Sequence, residues 1–423
     1  MIEEALVYFR EDDAFKHLFS LFKKKYESLG RIGGSVSLQS FTSRELEEIA
    51  RFYGITTDQL EIKGKLTLLS FEKQLKQTRF SDLTLQGLLE AYYNENLLSN
   101  KEKALQRRQL HNNLLYQLAN QYPVLEEWFT YLLERHSDSH WIYRLMDEGE
   151  YAFQEMVAVI AKAITNLPAP YERLPLFSQR ITHHPHTFDL DTNVGKLLIH
   201  VLAVHKAKDV VIPTDSESIN ELLLSYKIMR DDITNYVTCV NLLAETDQGI
   251  HPLWQSASAT NSVLNMPLRE LLQVNKMYPA SGKQVFIVEN SGVYSSLLDV
   301  VPATPLICTH GQFKLASLVL VDLLVASDVT LYYAGDLDPE GLRMAERLVN
   351  RHRNAIKLWR MDLSAYKQSI TEGEELSNVR LQKLNPITLP ELVQVKMEIE
   401  KQKLAGYQEA LIDEMIVDLE RYK

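Results

Sequence analysis

Asp336 and Asp338 lie in the stretch Tyr333-Ala-Gly-Asp-Leu-Asp-Pro-Glu-Gly-Leu, the segment of this 423-residue chain whose residue types and spacing best suit chemistry. They are two apart, so in extended geometry both carboxylates point the same way. An apolar run, Val329-Thr-Leu-Tyr, precedes them and reads as a buried strand. Gly341-Leu-Arg-Met-Ala-Glu-Arg-Leu-Val follows and reads as a helix. Both acids therefore fall at a strand's carboxyl edge, where open α/β sheets bind their ligands. Carboxylates crowded there repel one another, and a hard divalent cation such as Mg2+ relieves the repulsion. A second apolar strand, Val285-Phe-Ile-Val, leads to Glu289. Glu340, just past Pro339, is either a further ligand or an acid favoured at a helix N-terminus. The set Glu289, Asp336, Asp338 and Glu340 offers oxygen donors alone, which selects a hard cation over a transition metal. Such an ion keeps positions open for phosphate oxygens and can act on a phosphodiester as Lewis acid, hydroxide source or stabiliser of the leaving oxygen. The plainer alternative is a loop of solvated acids that caps the helix.

The elements that must position these residues read as follows. Leu306-Ile-Cys-Thr is a strand between the two acidic ones, Leu315–Ala326 a long apolar helix, and Ile356-Lys-Leu-Trp a last strand. Residues 1 to about 175 read as mostly helical. Gly30 is a natural C-cap, Val36-Ser-Leu a short strand, Thr42-Ser-Arg-Glu45 a capping box, and Gly54 a second helix stop. Apolar residues recur at helical spacing over Leu83–Leu98, Leu110–Leu118, Val124–Leu133 and Ala152–Ile164. Leu167-Pro-Ala-Pro170 and Pro175 break that pattern. Beyond them come helices over Val194–Val204 and Thr214–Tyr226, a turn over Lys227–Asp232 and a strand from Tyr236, an order compatible with a winged-helix module. The tail from Leu389 to Tyr422 reads as helical, packed back on the sheet.

The expected fold is thus α/β plus α. A helical arm (1–175) leads to a winged-helix-like module (176–275). A domain with a Rossmann-like, mostly parallel sheet (276–375) and a helical extension (376–423) follow.

Composition narrows the function. A net charge of -11 argues against autonomous DNA binding, so any DNA contact needs a local patch, bound metal or partners. Arg343, Arg347 and Arg351, spaced along one predicted helix, are the candidate patch, with a solvated helix face as the alternative. Lys314, in His310-Gly-Gln-Phe-Lys314, could meet a phosphate. With only Cys239 and Cys308 there is neither a disulfide framework nor a cysteine zinc site. No apolar run reaches the roughly 18 residues that span a bilayer. The acidic Met-Ile-Glu-Glu start is unlike a signal peptide, so the cytoplasm is the expected location.

Residues 283–362 resemble the Toprim fold of topoisomerases, bacterial primases and several nucleases, with Glu289 and Asp336-x-Asp338 as its acidic set. The fuller pattern resembles the JetD nuclease family of type II Wadjet plasmid-defence systems. The stretches that carry it are Gly30-Arg-Ile-Gly-Gly-Ser-Val, His186-Thr-Phe-Asp189, Met229-Arg-Asp-Asp-Ile-Thr-Asn-Tyr-Val, Val288-Glu-Asn-Ser-Gly-Val, Gly335-Asp-Leu-Asp-Pro-Glu-Gly and Tyr407-Gln-Glu409. Ser291 departs from the pattern, where a proline is usual after Glu-Asn. The resemblance implies a DNA endonuclease that makes double-strand breaks in plasmid DNA. Glu289, Asp336 and Asp338 would be catalytic, and Mg2+ the cofactor, with Mn2+ able to substitute. It also implies partnership with an SMC-type ATPase complex (Wadjet JetABC). Cutting two strands calls for two sites, hence a homodimer.

Two rival functions stand beside this one. A topoisomerase VI-type transesterase would attack through a tyrosine, for which Tyr226 and Tyr236 lie in the right region. A non-catalytic Toprim scaffold would hold metal structurally. The cluster His183, His184, His186, Asp189 and Asp191 has ligand-like chemistry, with a helix-capping polar loop as its alternative. Tyr407-Gln-Glu409 and Asp413 could bring another carboxylate to the site or form a charged surface helix.

Overall fold

The computed structural model describes residues 1–206 and 210–421. The expected tail residue Tyr422 therefore lies outside the described residues. The chain forms two compact units, Met1–Gln154 and Glu155–Lys423.

The first unit is mainly helical around a core of Phe9, Phe15, Phe19, Phe22, Phe52 and Phe71, all buried. Local signals in the sequence act there as expected. Gly30 stops the helix Asp13–Leu29 in the left-handed conformation, φ 67°. Thr42 and Glu45 cap the helix Ser43–Tyr53 reciprocally, and Gly54 (φ 64°) ends it. Ser35–Ser37 pairs antiparallel with Lys65–Thr67.

The second unit is mixed α/β. Six strands form its main sheet: β1 (Tyr236–Val240), β2 (Leu264–Pro267), β3 (Gln284–Val288), β4 (Leu306–Cys308), β5 (Thr330–Ala334) and β6 (Ile356–Leu358). Their spatial order is β6-β5-β3-β4-β1-β2. The four strands β3 to β6 run parallel; β1 lies antiparallel to β4, and β2 to β1. Val285, Phe286, Ile287 and Val288 are all buried, as a strand covered on both faces requires. The apolar helix α1 (Leu315–Val325) is buried round most of its circumference. From β3 the chain goes out to β4 on one side, then crosses back to β5 on the other. The crevice at the carboxyl ends of β3 and β5 is thus the sheet's switch point.

Two parts differ from the reading of the sequence. The helices Asn193–Lys206 and Ser216–Ser225 do precede a strand at Tyr236, but β1 and β2 complete the main sheet rather than a sheet of their own module. A separate three-stranded sheet joins Leu242–Thr246 with Gly249–Ile250 and Lys276–Pro279. The tail is not one continuous helix. Pro390–Gln402 ends at Lys403, left-handed at φ 55°, and a strand, Leu404–Gly406, follows before the last helix, Ile412–Arg421. That strand pairs antiparallel with Ile370–Glu375, and Gly406 bridges Leu337. The last helix packs on the sheet as expected. Met415 and Leu419 are buried in the sheet's core, and Asp418 accepts from Trp359 Nε1 and Arg360. Among the described residues no helix is long and apolar enough to cross a membrane.

Candidate functional site

β3 and β5 bring Glu289 and Asp336 to the same sheet edge because Val288 and Ala334 are partners in register. Past Glu289, Asn290 turns the chain into the helix Ser291–Val300, its side chain accepting the Gly292 N–H at 2.7 Å. Ser291 holds the first helical position, one that also suits proline. Past Asp336, Asp338 caps α2 (Pro339–Arg351), accepting the Gly341 N–H at 2.7 Å. A Cβ on Gly341 would lie 2.1 Å from the Asp336 carbonyl oxygen, so only glycine lets this helix start so close to the acid loop.

The four expected acids gather at this edge but fall into two pairs. Glu289 and Asp336 are half-buried, and the Asp336 N–H donates to Glu289 Oε2 at 3.4 Å. Burial first, then repulsion from Asp336 and Asp338, pushes the Glu289 carboxyl up to about 7. Burial also dominates at Asp336; with repulsion from Asp338 and Glu409 it outweighs the Gln408 N–H and carries that carboxyl up to about 6. Among the described residues neither acid has a cationic partner.

Asp338 and Glu340 do have one. Arg380 Nη2 donates to Asp338 Oδ2 at 2.6 Å and to Glu340 Oε2 at 2.9 Å, and Lys383 Nζ donates to Glu340 Oε1 at 2.8 Å. Burial would raise Glu340, but these two cations outweigh it and hold the carboxyl down at about 2. Asp338 still sits above the usual carboxylate range, because burial exceeds the relief from the Gly341 N–H and Arg380.

Among the described residues no three His, Cys, Asp or Glu side chains converge as a ready ion cage. Glu289 and Asp336 nonetheless fit a hard cation. They offer oxygen donors only, their repulsion is unrelieved, and Mg2+ needs just one or two carboxylates besides its waters. Glu340, engaged by Arg380 and Lys383, does not fit as a ligand in this state.

The tail strand delivers a residue that holds the two acid loops together. Gln408, 1% exposed, accepts the Glu289 and Asn290 N–H groups on its side-chain oxygen at 3.3 and 3.4 Å. Its own N–H donates to Asp336 Oδ1 at 3.1 Å. Glu409 accepts from Asn290 Nδ2 at 2.6 Å, so a further carboxylate does reach the site. The motif Tyr407-Gln-Glu409 pointed to this stretch, though not to the glutamine as the bridge. Arg380 and Lys383 escaped the sequence reading altogether, since lone basic residues some 40 positions from their partners leave no local pattern.

The remaining candidates are placed as follows. Lys314 lies 4.2 Å from the Tyr236 ring centroid, and His310 meets the same ring edge-on. The Gly311 N–H donates to the Glu289 carbonyl, so this loop adjoins the acids. Arg343 is exposed. Arg347 faces Glu221 at 3.3 Å and Asp215 at 3.8 Å, and Arg351 pairs with Asp322 at 2.6 Å and with Glu221. The patch of three is therefore one exposed arginine and two engaged ones. Tyr226 donates to the Leu202 carbonyl at 3.0 Å. His186 Nδ1 lies 2.9 Å from Asp189 Oδ2, while Thr192 accepts the Gly195 N–H at 2.9 Å and starts the next helix. The cap of that helix is thus Thr192 beside the cluster, while His183 ends the preceding helix in the left-handed conformation, φ 62°.

The sequence matches two family models. Residues 32–244 match the family described as protein of unknown function N-terminus (DUF3323). The chain belongs to the DUF3323 family. Residues 264–419 match the family described as protein of unknown function C-terminus (DUF2399), and this DUF2399 segment holds every acid of the site together with Arg380, Lys383 and Gln408. No curated protein matches the chain.

Proposed function

We propose that the chain is a Mg2+-dependent DNA endonuclease, the JetD-type nuclease subunit of an SMC-type Wadjet complex that cuts both strands of plasmid DNA in the cytoplasm. The observation that carries this reading is the placement of Glu289 and Asp336. Two acids without a cationic partner among the described residues stand at the carboxyl ends of adjacent parallel strands, at the switch point of the sheet. The order of the sheet's elements supports a Toprim-type domain, and the pairing of DUF3323 with DUF2399 supports the likeness to JetD.

Glu289 and Asp336 would hold the ion, with Asp338 beside them. When bound, Mg2+ would polarise the phosphodiester and acidify an attacking water. The chain's own residues supply the rest. In the ion-free chain burial and repulsion from Asp336 push the Glu289 carboxyl up to about 7, and a bound cation would hold it as the carboxylate that ligates it. Gln408 keeps Glu289 and Asp336 in register through its three hydrogen bonds. Arg343 and Lys314 are the candidate contacts to the DNA backbone. Two copies of the chain would cut the two strands.

The test is incubation of circular and linear DNA with the purified chain and the SMC complex, with Mg2+, Mn2+ or EDTA. Cleavage should require the divalent ion and should vanish in Glu289→Gln, Asp336→Asn and Asp338→Asn. Wild-type cutting rates in any of these variants rule out the assigned site. Tyr226→Phe and Tyr236→Phe should cut normally and leave protein-free ends. A protein-linked end lost in one of them would establish the transesterase instead. No cutting under any condition would favour the scaffold.

A further inference from the structure

The pairing of Asp338 and Glu340 with Arg380 and Lys383 constrains how many ions the site can take. Every carboxylate oxygen of this pair already has a donor. Asp338 Oδ1 accepts from Gly341 N and Oδ2 from Arg380. Glu340 Oε2 accepts from Arg380 and Oε1 from Lys383. A second cation would have to approach these oxygens against the fixed charges of Arg380 and Lys383, which they already accept from. Across the crevice the pattern is different. Glu289 receives one long hydrogen bond, at 3.4 Å, and Asp336 one, at 3.1 Å. Among the described residues, Glu289 Oε1 and Asp336 Oδ2 receive none.

The cationic pair is part-exposed, but the segment that carries it is anchored. Leu376 and Leu384, on either side of it in the chain, are both buried in the core of the sheet. Between them Ser377 caps the short helix Asn378–Leu381, accepting the Arg380 N–H at 3.4 Å. The guanidinium lies across both acids, with Nη2 on each and Nε within 3.3 Å of Glu340. Its rigid, permanently charged fork suits this bridging in a way an ammonium does not.

We infer that Arg380 and Lys383 are positioning residues that fill the Asp338–Glu340 half of the site with fixed positive charge, so that the chain takes one divalent cation, on Glu289 and Asp336, and not two. This rests on the proposed metal-dependent activity and adds the number of ions, together with the groups that stand in place of a second. The guanidinium neutralises acids that would otherwise need a second ion, and it keeps Asp338 turned to cap α2.

The test is titration calorimetry of the full-length chain with Mn2+ as the probe, with thermal unfolding to confirm that each variant is folded. The wild type should bind one ion per chain, and Glu289→Gln should lose it. Arg380→Gln combined with Lys383→Gln frees the oxygens of the second pair and should bind two ions. Spin–spin broadening of the Mn2+ resonance would report that the two lie close together. Arg380→Lys should keep the count at one. If the double variant does not fold, the count is read on Arg380→Gln alone, which frees Glu340 Oε2 and Asp338 Oδ2 and where a second ion is again expected. Two ions in the wild type overturn the inference and leave the nuclease reading standing. A folded Gln variant that still binds one ion overturns it equally. No ion bound by the wild type overturns both the inference and the metal-dependent reading.

Discussion

The repulsion between Glu289 and Asp336 should be visible as a pH dependence of folding that one substitution removes. Glu289 rises from an ordinary 4.5 to about 7 in the folded chain. A carboxyl with its folded pKa above its unfolded one holds more protons when folded. Its contribution to stability is complete below the unfolded value and is lost as pH rises through the folded value, here between about 4.5 and 7. The shift of about 2.5 units corresponds to a ceiling of about 3.4 kcal/mol at about 1.4 kcal/mol per unit. Glu289 is only partly buried, and part of its shift is shared with Asp336, so about 2 kcal/mol is the expected size. In a unit of this length that corresponds to about 4–8 °C in Tm. Glu289→Gln keeps the shape and removes the charge. In EDTA it should unfold at the wild-type temperature near pH 5 and about 4–8 °C higher at pH 8. Millimolar Mg2+ should raise the wild-type Tm at pH 8 and leave the variant unmoved, which closes the gap. Calorimetric melts of both proteins at each pH decide the matter. A variant less stable than wild type at pH 8, or a difference independent of pH, would refute the assigned repulsion.

Three other perturbations follow from the same geometry. Gln408→Ala leaves two part-buried N–H groups without their acceptor, so it should cost about 1 kcal/mol in denaturant melts and weaken Mn2+ binding measured by calorimetry. Gly341→Ala places a Cβ 2.1 Å from a backbone oxygen that cannot yield; it should lower stability by about 1–3 kcal/mol and abolish cleavage, and wild-type melting would contradict the close approach. Arg343→Glu should weaken duplex binding and flatten its salt dependence, read by fluorescence anisotropy across a salt series. Arg351→Gln should instead lower Tm, by about 1 kcal/mol of lost ion pairing, with the salt slope unchanged; a changed slope would return Arg351 to the DNA-binding surface.

Much of the candidate site was legible in the sequence because its signals are local. An apolar β-branched run that ends in an acid places that acid at a strand's edge, and this held for Glu289 and for Asp336. Helix caps at Thr42 and Gly30 are equally local, since each depends on a neighbour three or four residues away. What only the tertiary structure decided is everything set by residues far apart in the chain. Whether an arginine is free or paired depends on acids more than 100 positions off, as with Arg347 and Arg351 against Glu221. Whether β1 belongs to its own module or to the main sheet depends on the edge that β4 offers it. The tail from Leu389 reads as helix in the sequence. The unpaired edge of Ile370–Glu375 and the backbone of Leu337 instead draw Leu404–Gly406 into strand pairing. Through that long-range pairing Gln408 comes to lie between the two acids. Arg380 reaches Asp338 and Glu340 for the same reason, because burial of Leu376 and Leu384 fixes where the intervening cations must sit. Hydrogen bonds and charges are short-ranged in space, not in sequence. The residues that carry the acids are therefore written in the chain, while the residues that divide and bridge them are chosen by the fold.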